Sequence, residues 1–315
     1  MSDRPLVSIL CATYNQKDYI AQTIEGFLIQ KVDFPIEIII HDDASTDGTA
    51  DIVRKYESEH PELIKGIYQT ENQYSKKVPI WETFIYPLAR GTFIAECEGD
   101  DYWTDPNKIQ KQADFLRKNP DYGLCYGIAR QYIQARQAFS TNRGKDYISF
   151  EHLLKHSNCI PTLTACARKS LVDQYNQERK SFNQTWKMGD YPQWLWFAAH
   201  TKIKFFPEVF GVYRILKVSA AHFDDVEKQV EFYKSGYNCA NFFSERYLNK
   251  PLPPFDEHRE RARLYSTKIH DRKKAYEEYR KIPQRNWKYR ILTFLHSNPV
   301  SFLLLRIYYS TKYKQ

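Results

Sequence analysis

Two short apolar runs decide what the start of this chain can fold into. LVSILCA at 6–12 and IEIII at 36–40 are rich in β-branched residues, as strands buried on both faces of a parallel sheet are. Between them, residues 18–29 place Ile20, Ile24, Phe27 and Leu28 at helical spacing, so the unit is strand, helix, strand. A second helix carrying Ile52, Val53 and Tyr56 is expected to start at Ser45 or Thr46 and stop at Pro61, with a third strand over 63–69. This is the opening of a doubly wound α/β domain.

FIAEC at 93–97 reads as a fourth strand running straight into the acidic EGDD. Pro106, with Ile109, Gln112, Phe115 and Leu116 behind it, predicts a helix that stops before Pro120, then a strand over 124–126. Residues 127–160 carry no clear period, 203–213 read as two short strands, and 224–247 as an amphipathic helix. PLPP at 251–254 marks a hinge, 257–281 reads as one charged helix, and 287–309 is aromatic and basic.

The net charge of +8 is unevenly placed: from Arg246 onward 17 Lys and Arg face 6 Asp and Glu, which is 17 − 6 = +11 and leaves 8 − 11 = −3 before it. A nucleic-acid binder would carry its basic excess on the folded body, so no nucleic-acid partner is expected. With no CxxC pair among six cysteines, neither a disulfide framework nor a zinc site is expected, and a reducing cytoplasm is favoured. No apolar signal segment follows Met1, and no run reaches the roughly 18 apolar residues of a membrane span.

Both acidic clusters, Asp42 and Asp43 after IEIII and Glu98, Asp100 and Asp101 after FIAEC, sit where a strand ends. In an open parallel sheet ligands bind beyond the carboxyl ends of the strands, so these acids can converge on one site. Crowded carboxylates repel, and a hard divalent cation relieves them: Mn²⁺ or Mg²⁺ is held by one or two carboxylates while substrate phosphates complete the shell. Turn acids also cap helices, a role open to Asp47 before Gly48.

The segments VSILCATYNQKDYIAQTIEGFL, IIIHDDASTDGT and ARGTFIAECEGDDYWTDPNKIQKQADFLRKNPDY together resemble glycosyltransferase family 2, over roughly residues 5–222. The resemblance implies an inverting, nucleotide-sugar-dependent enzyme of the GT-A fold: a Rossmann-like, mainly parallel mixed α/β sheet flanked by helices. It implies a catalytic domain over 1–223 and a helical basic extension over 224–315. Thr13, Tyr14 and Asn15 would line the nucleotide pocket, and Asp42 or Asp43 would accept a hydrogen bond from the base. A carboxylate suits the imide N–H of uracil and also guanine N–H groups, with uridine favoured. EGDD corresponds to the family's DXD-type motif, with Glu98 in place of its first Asp. Metal contact is therefore assigned mainly to Asp100, supported by Asp101 and Glu98.

The resemblance also makes Asp190 in WKMGDYPQW the general base, taking the acceptor's proton; by position alone a helix N-cap before Pro192 is the preferred reading. Arg214 is expected to pair with the diphosphate and His222 to be a third metal ligand. Trp103, directly after EGDD, and Lys108 with Gln112 are expected to face the substrate; Trp81, Trp186 and Trp194 are further sugar-stacking candidates.

The tail over 285–315 mixes Trp, Tyr, Phe and Leu with Arg and Lys. That composition suits a helix lying in the headgroup region of an anionic membrane, and equally an amphipathic hairpin covering the catalytic domain or a dimer partner. The expected function is transfer of a sugar to a glycan or lipid-linked acceptor in surface polysaccharide synthesis, on the inner face of a plasma membrane. A sugar-phosphate nucleotidyltransferase would show a Gly-rich phosphate loop, and ATYNQ has no glycine. A non-catalytic nucleotide-sugar-binding protein is the other alternative, against which Asp100 and Asp190 speak.

Overall fold

A computed structural model describes residues 4–147, 149–156, 158–216, 225–283 and 287–312. The chain divides into two compact units, Met1–Thr185 with Asp190–Ile215, and Trp186–Gly189 with Leu216–Gln315.

The first unit is built on one twisted, mixed sheet. Its parallel half comprises β1 (Val7–Thr13), β2 (Ile36–Asp42), β3 (Ile64–Tyr68) and β4 (Phe93–Glu96), with β1 between β2 and β4. α1 (Ile20–Leu28) and α2 (Thr49–Glu59) are the crossovers. The β-branched runs fill the core because both sheet faces are covered: Val7, Ile9, Ile38, Ile40 and Phe93 pack with Ile20, Ile24 and Phe27 of α1 on one face, and Leu10, Ile39 and Ile94 are buried on the other. α2 begins at Thr49, later than Ser45 or Thr46, because Gly48 holds a left-handed φ of 99° that no preceding helical turn could share.

The other half holds β5 (Tyr102–Trp103), β6 (Tyr122–Ile133), β7 (Ala138–Arg143), β8 (Cys166–Arg168) and β9 (Lys202–Ile215). It is joined by α3 (Lys108–Lys118), α4 (Phe150–His156), α5 (Lys169–Arg179) and α6 (Asp190–His200). β8 runs antiparallel between β4 and β6, whereas β6 and β9 pair in parallel over their whole length. The two short strands expected over 203–213 are one strand. Its ladder with β6 slips between Tyr126↔Phe205 and Ile128↔Val209, around Pro207, which has no N–H to donate. The stretch 127–160, which carries no clear period, holds the rest of β6, its hairpin with β7, and α4.

In the second unit α7 (Val226–Leu248) is followed by α8 (Glu257–Leu264), α9 (Arg272–Lys281), α10 (Trp287–Ser297) and α11 (Pro299–Lys312). The single charged helix expected over 257–281 is broken. His270 takes a left-handed φ of 61°, and the Asp271 side chain caps α9 by accepting from the Lys274 N–H. Ala262, Ala275, Tyr279 and Ile282 form this unit's small core, against which Tyr289 and Leu292 pack.

Candidate functional site

The site lies beyond the carboxyl ends of β1, β2 and β4. Register places Thr13, the last residue of β1, opposite Asp42, the last of β2. The two loops that follow are stitched together. The Asn15 N–H donates to Ser45 Oγ at 2.8 Å, and Asn15 Oδ1 accepts from the Thr46 N–H at 2.8 Å. The Lys17 N–H donates to Asp47 Oδ2 at 3.0 Å, so Asp47 is a loop tie rather than a ligand group. Asn15 at φ 51° and Ala44 at φ 61° hold the strained corners. Thr13 Oγ1 donates to Gln16 Oε1, and the Tyr14 side chain stands open to solvent.

Asp42 and Asp43, equivalent in the sequence, differ here. Both oxygens of Asp43 are filled by backbone donors, Gln73 N–H at 2.8 Å and Tyr74 N–H at 3.0 Å. Asp42 is buried, its Oδ1 accepts from the Ser45 N–H at 3.0 Å, and its Oδ2 has no partner. A buried, unpaired carboxylate oxygen is costly unless a ligand supplies a donor.

At the end of β4, Glu98, Asp100 and Asp101 bring carboxylate oxygens within 4.8 Å of one another. Gly99 permits this turn: a Cβ there would stand 2.4 Å from Gln16 Oε1 and 2.6 Å from Thr13 Oγ1. Thr23 of α1 secures the turn, its hydroxyl reaching the carbonyls of Gly99 at 2.9 Å and Asp101 at 2.6 Å. Asp101 is buried and its Oδ1 accepts from the Arg214 N–H of β9 at 2.8 Å. The Arg214 guanidinium donates to the Asp100 carbonyl and Gln22 Oε1, and lies against the rings of Tyr102 and Tyr19.

Burial pushes all three carboxyls up, and mutual repulsion adds to it for Glu98 and Asp101. Glu98 rises to about 8. Its residue keeps an exposed surface, while the charges of Asp100, Asp190 and Glu96 add to the rise and Arg143 opposes it. Such a set of hard oxygen donors short of positive charge fits Mg²⁺ or Mn²⁺. Asp100 is half-buried, and a backbone hydrogen bond, the Arg214 guanidinium and a Gln16 hydrogen bond partly offset the rise that burial causes in its carboxyl.

Asp190 opens α6. Two donors converge on its Oδ2, Asn158 Nδ2 at 2.7 Å and Thr162 Oγ1 at 3.1 Å. Its charge raises the carboxyls of Glu98 and, behind it, Glu96, which burial and neighbouring charge bring to about 7 while the Tyr86 hydroxyl donates to it at 2.8 Å.

Other expected ligand groups are elsewhere. Trp103 is in the core, edge-on to Phe27, with its N–H on the Leu163 carbonyl at 2.6 Å. The Lys108 ammonium sits 4.0 Å over the Trp103 ring and donates to Gln112 Oε1 at 2.9 Å, fully buried. Both are therefore core residues, and neither presents its side chain at the surface for a substrate. Trp194 is also core, Trp81 is half-buried beside Tyr86, and Trp186 belongs to the second unit, against Phe242 and Phe243. His222 lies outside the described residues. Asn158, Thr162, Thr23 and Gln22 had no local signal, because only the fold brings them to the site.

A family model described as glycosyl transferase family 2 matches residues 8–175. An uncharacterised protein of Mycobacterium tuberculosis is 40% identical over 126 residues, 39% of this chain and 35% of that one. The Escherichia coli enzyme named UDP-Glc:alpha-D-GlcNAc-diphosphoundecaprenol beta-1,3-glucosyltransferase WfaP is 36% identical over 129 residues, 41% of this chain and 47% of that one. The matches thus span less than half the length of these curated relatives. Among solved structures, the mannosyltransferase PcManGT of Pyrobaculum calidifontis with GDP-Man and Mn²⁺ superposes with a TM-score of 0.56 at 15% identity, over 96% of this chain and 87% of that one. The shared fold is GT-A. With more than half of its residues matched, the chain belongs to glycosyl transferase family 2.

Proposed function

We propose that the protein is an inverting hexosyltransferase that moves a sugar from a nucleoside-diphosphate sugar, a UDP-sugar by preference, to a hydroxyl of a glycan or lipid-linked acceptor in surface polysaccharide synthesis. One observation carries the reading: Asp190, anchored through one oxygen only, lies within the electrostatic reach of the Glu98, Asp100 and Asp101 cluster. A base and a diphosphate-binding centre must stand on opposite sides of the sugar carbon, and this pairing supplies both.

The unpaired Oδ2 of Asp42 accepts the imide N–H of the base, beside Thr13, Tyr14 and Asn15. Asp190 takes the proton of the acceptor hydroxyl as its oxygen bonds to C1 of the sugar; the C1–O bond to the diphosphate breaks, and the leaving group keeps that electron pair. Asp100, with Glu98 and Asp101 in support, would hold Mn²⁺ or Mg²⁺, which would supply Lewis-acid neutralisation of the diphosphate charge. Arg214 adds fixed positive charge from the side. Residues 1–223 do this chemistry, and 224–315 keep the enzyme peripheral on the inner face of a membrane. The relative that uses UDP-Glc and the neighbour solved with Mn²⁺ support the donor class and the ion.

Thermal shift with a panel of nucleotide sugars and Mn²⁺, followed by release of nucleoside diphosphate, tests it. Stabilisation by at least one nucleotide sugar is expected, with hydrolysis lost in Asp100→Ala and on chelation. No stabilisation by any of them overturns the donor reading, and transfer surviving in Asp190→Asn overturns the base.

A further inference from the structure

We infer that the outer faces of α10 and α11 form a docking surface for an anionic phospholipid membrane; this rests on the attachment part of the proposal above and names its residues. Trp287, Ile291 and Phe294 share one face of α10 at i, i+4, i+7, and Val300, Leu303 and Leu304 one face of α11. These six are between 47% and 72% exposed. The same helices turn other residues inward: Tyr289 and Leu292 pack on the small core, and His296 and Phe302 are buried. An ordinary surface helix has one apolar stripe facing its core and a polar face outside. These helices are apolar on both.

Charge selects the occupant. Residues 279–315 contain Arg280, Lys281, Arg285, Lys288, Arg290, Arg306, Lys312 and Lys314 and not one Asp or Glu. Of these, Lys281 pairs with Glu278 just ahead of the stretch, as earlier in this unit Arg261 pairs with Glu227 and Glu257, Lys234 with Glu257, and Lys187 with Glu231. Between α9 and α10 an open cleft of about 430 Å³ is lined by Tyr276, Arg280, Arg290, Thr293, Phe294 and Ser297. Two guanidiniums beside exposed aromatic carbon match a phosphate at the head of an acyl chain. A second copy of this chain would set cations against cations without a carboxylate between them.

The helices lie on the surface rather than crossing it. Among the described residues no helix is long and apolar enough to span, and the 14 residues of α11 reach only about 21 Å against roughly 30 Å of hydrocarbon.

Flotation of the full chain with vesicles of phosphatidylcholine alone, or mixed with phosphatidylglycerol, is the test. The chain should float with the mixed vesicles at low salt and far less with phosphatidylcholine. The variant Phe294→Ser, Leu303→Ser, Leu304→Ser should lose at least tenfold in partition. Arg280→Gln with Arg290→Gln should lose about fivefold per cation and most of the salt dependence. All five substituted positions are exposed or line the open cleft, and each variant should melt as the wild type does. No flotation at low salt, undiminished flotation of the serine variant, or a dimer that the serine variant abolishes would overturn the inference. Nucleotide-sugar binding, measured without vesicles, is the separate readout of the transferase reading, and its absence would leave the flotation result standing.

Discussion

The backbone N–H of Arg214 donates to Oδ1 of Asp101 at 2.8 Å, tying the end of β9 to the acidic turn after β4 across 113 residues. The three carboxylates therefore do different work. Asp101→Ala leaves a buried amide without an acceptor and should cost about 1–3 kcal/mol in urea unfolding. Asp100→Ala relieves repulsion in a half-buried position and should leave stability within about 0.5 kcal/mol, yet remove Mn²⁺-stimulated hydrolysis of the donor.

Asp190 is steered by Asn158 and Thr162 through a single oxygen. Asn158→Ala should lower kcat for transfer about tenfold or more by loosening the base, with KM for the nucleotide sugar unchanged. Equal loss in donor affinity would show instead that Asn158 shapes the donor pocket.

Gly99 has no room for a side chain, because a Cβ would meet Gln16 Oε1 at 2.4 Å and the Thr13 Cβ at 2.7 Å. Gly99→Ala should cost about 1–3 kcal/mol from overpacking and weaken nucleotide-sugar binding. Calorimetric titration and thermal melting of the one variant read both effects.

Burial lowers the Lys108 ammonium from 10.5 to about 8. Below that value folded and unfolded chains both hold the proton. Between about 8 and 10.5 only the unfolded chain does, so stability rises with pH over this window, by up to ~1.4 kcal/mol per pH unit. Lys108→Met removes the titration. The stability of the wild type relative to this variant should therefore increase from pH 8 to pH 10 in parallel urea titrations, and a constant difference would place the ammonium in water.

The parallel half of the fold and the acidic clusters were legible because both are local. Buried strands show as β-branched runs, α1 shows as a 3.6-residue period, and the acids follow where each run ends. Pro207 divides the β9 sequence into two short apolar runs, while in the sheet only a few ladder bonds are skipped. The break between α8 and α9 was missed because a left-handed His270 carries no composition signal.

Sequence alone determined that this chain builds an α/β sheet with carboxylates at its strand ends and a basic, aromatic tail, since short-range period and composition encode those. Only the tertiary structure decided which of two adjacent aspartates keeps an unpaired oxygen, that Trp103 and Lys108 are buried in the core, and that Asn158 and Thr162 reach Asp190. Those outcomes depend on burial and on hydrogen bonds between residues far apart in the chain, and no local pattern records which groups the closed sheet brings together.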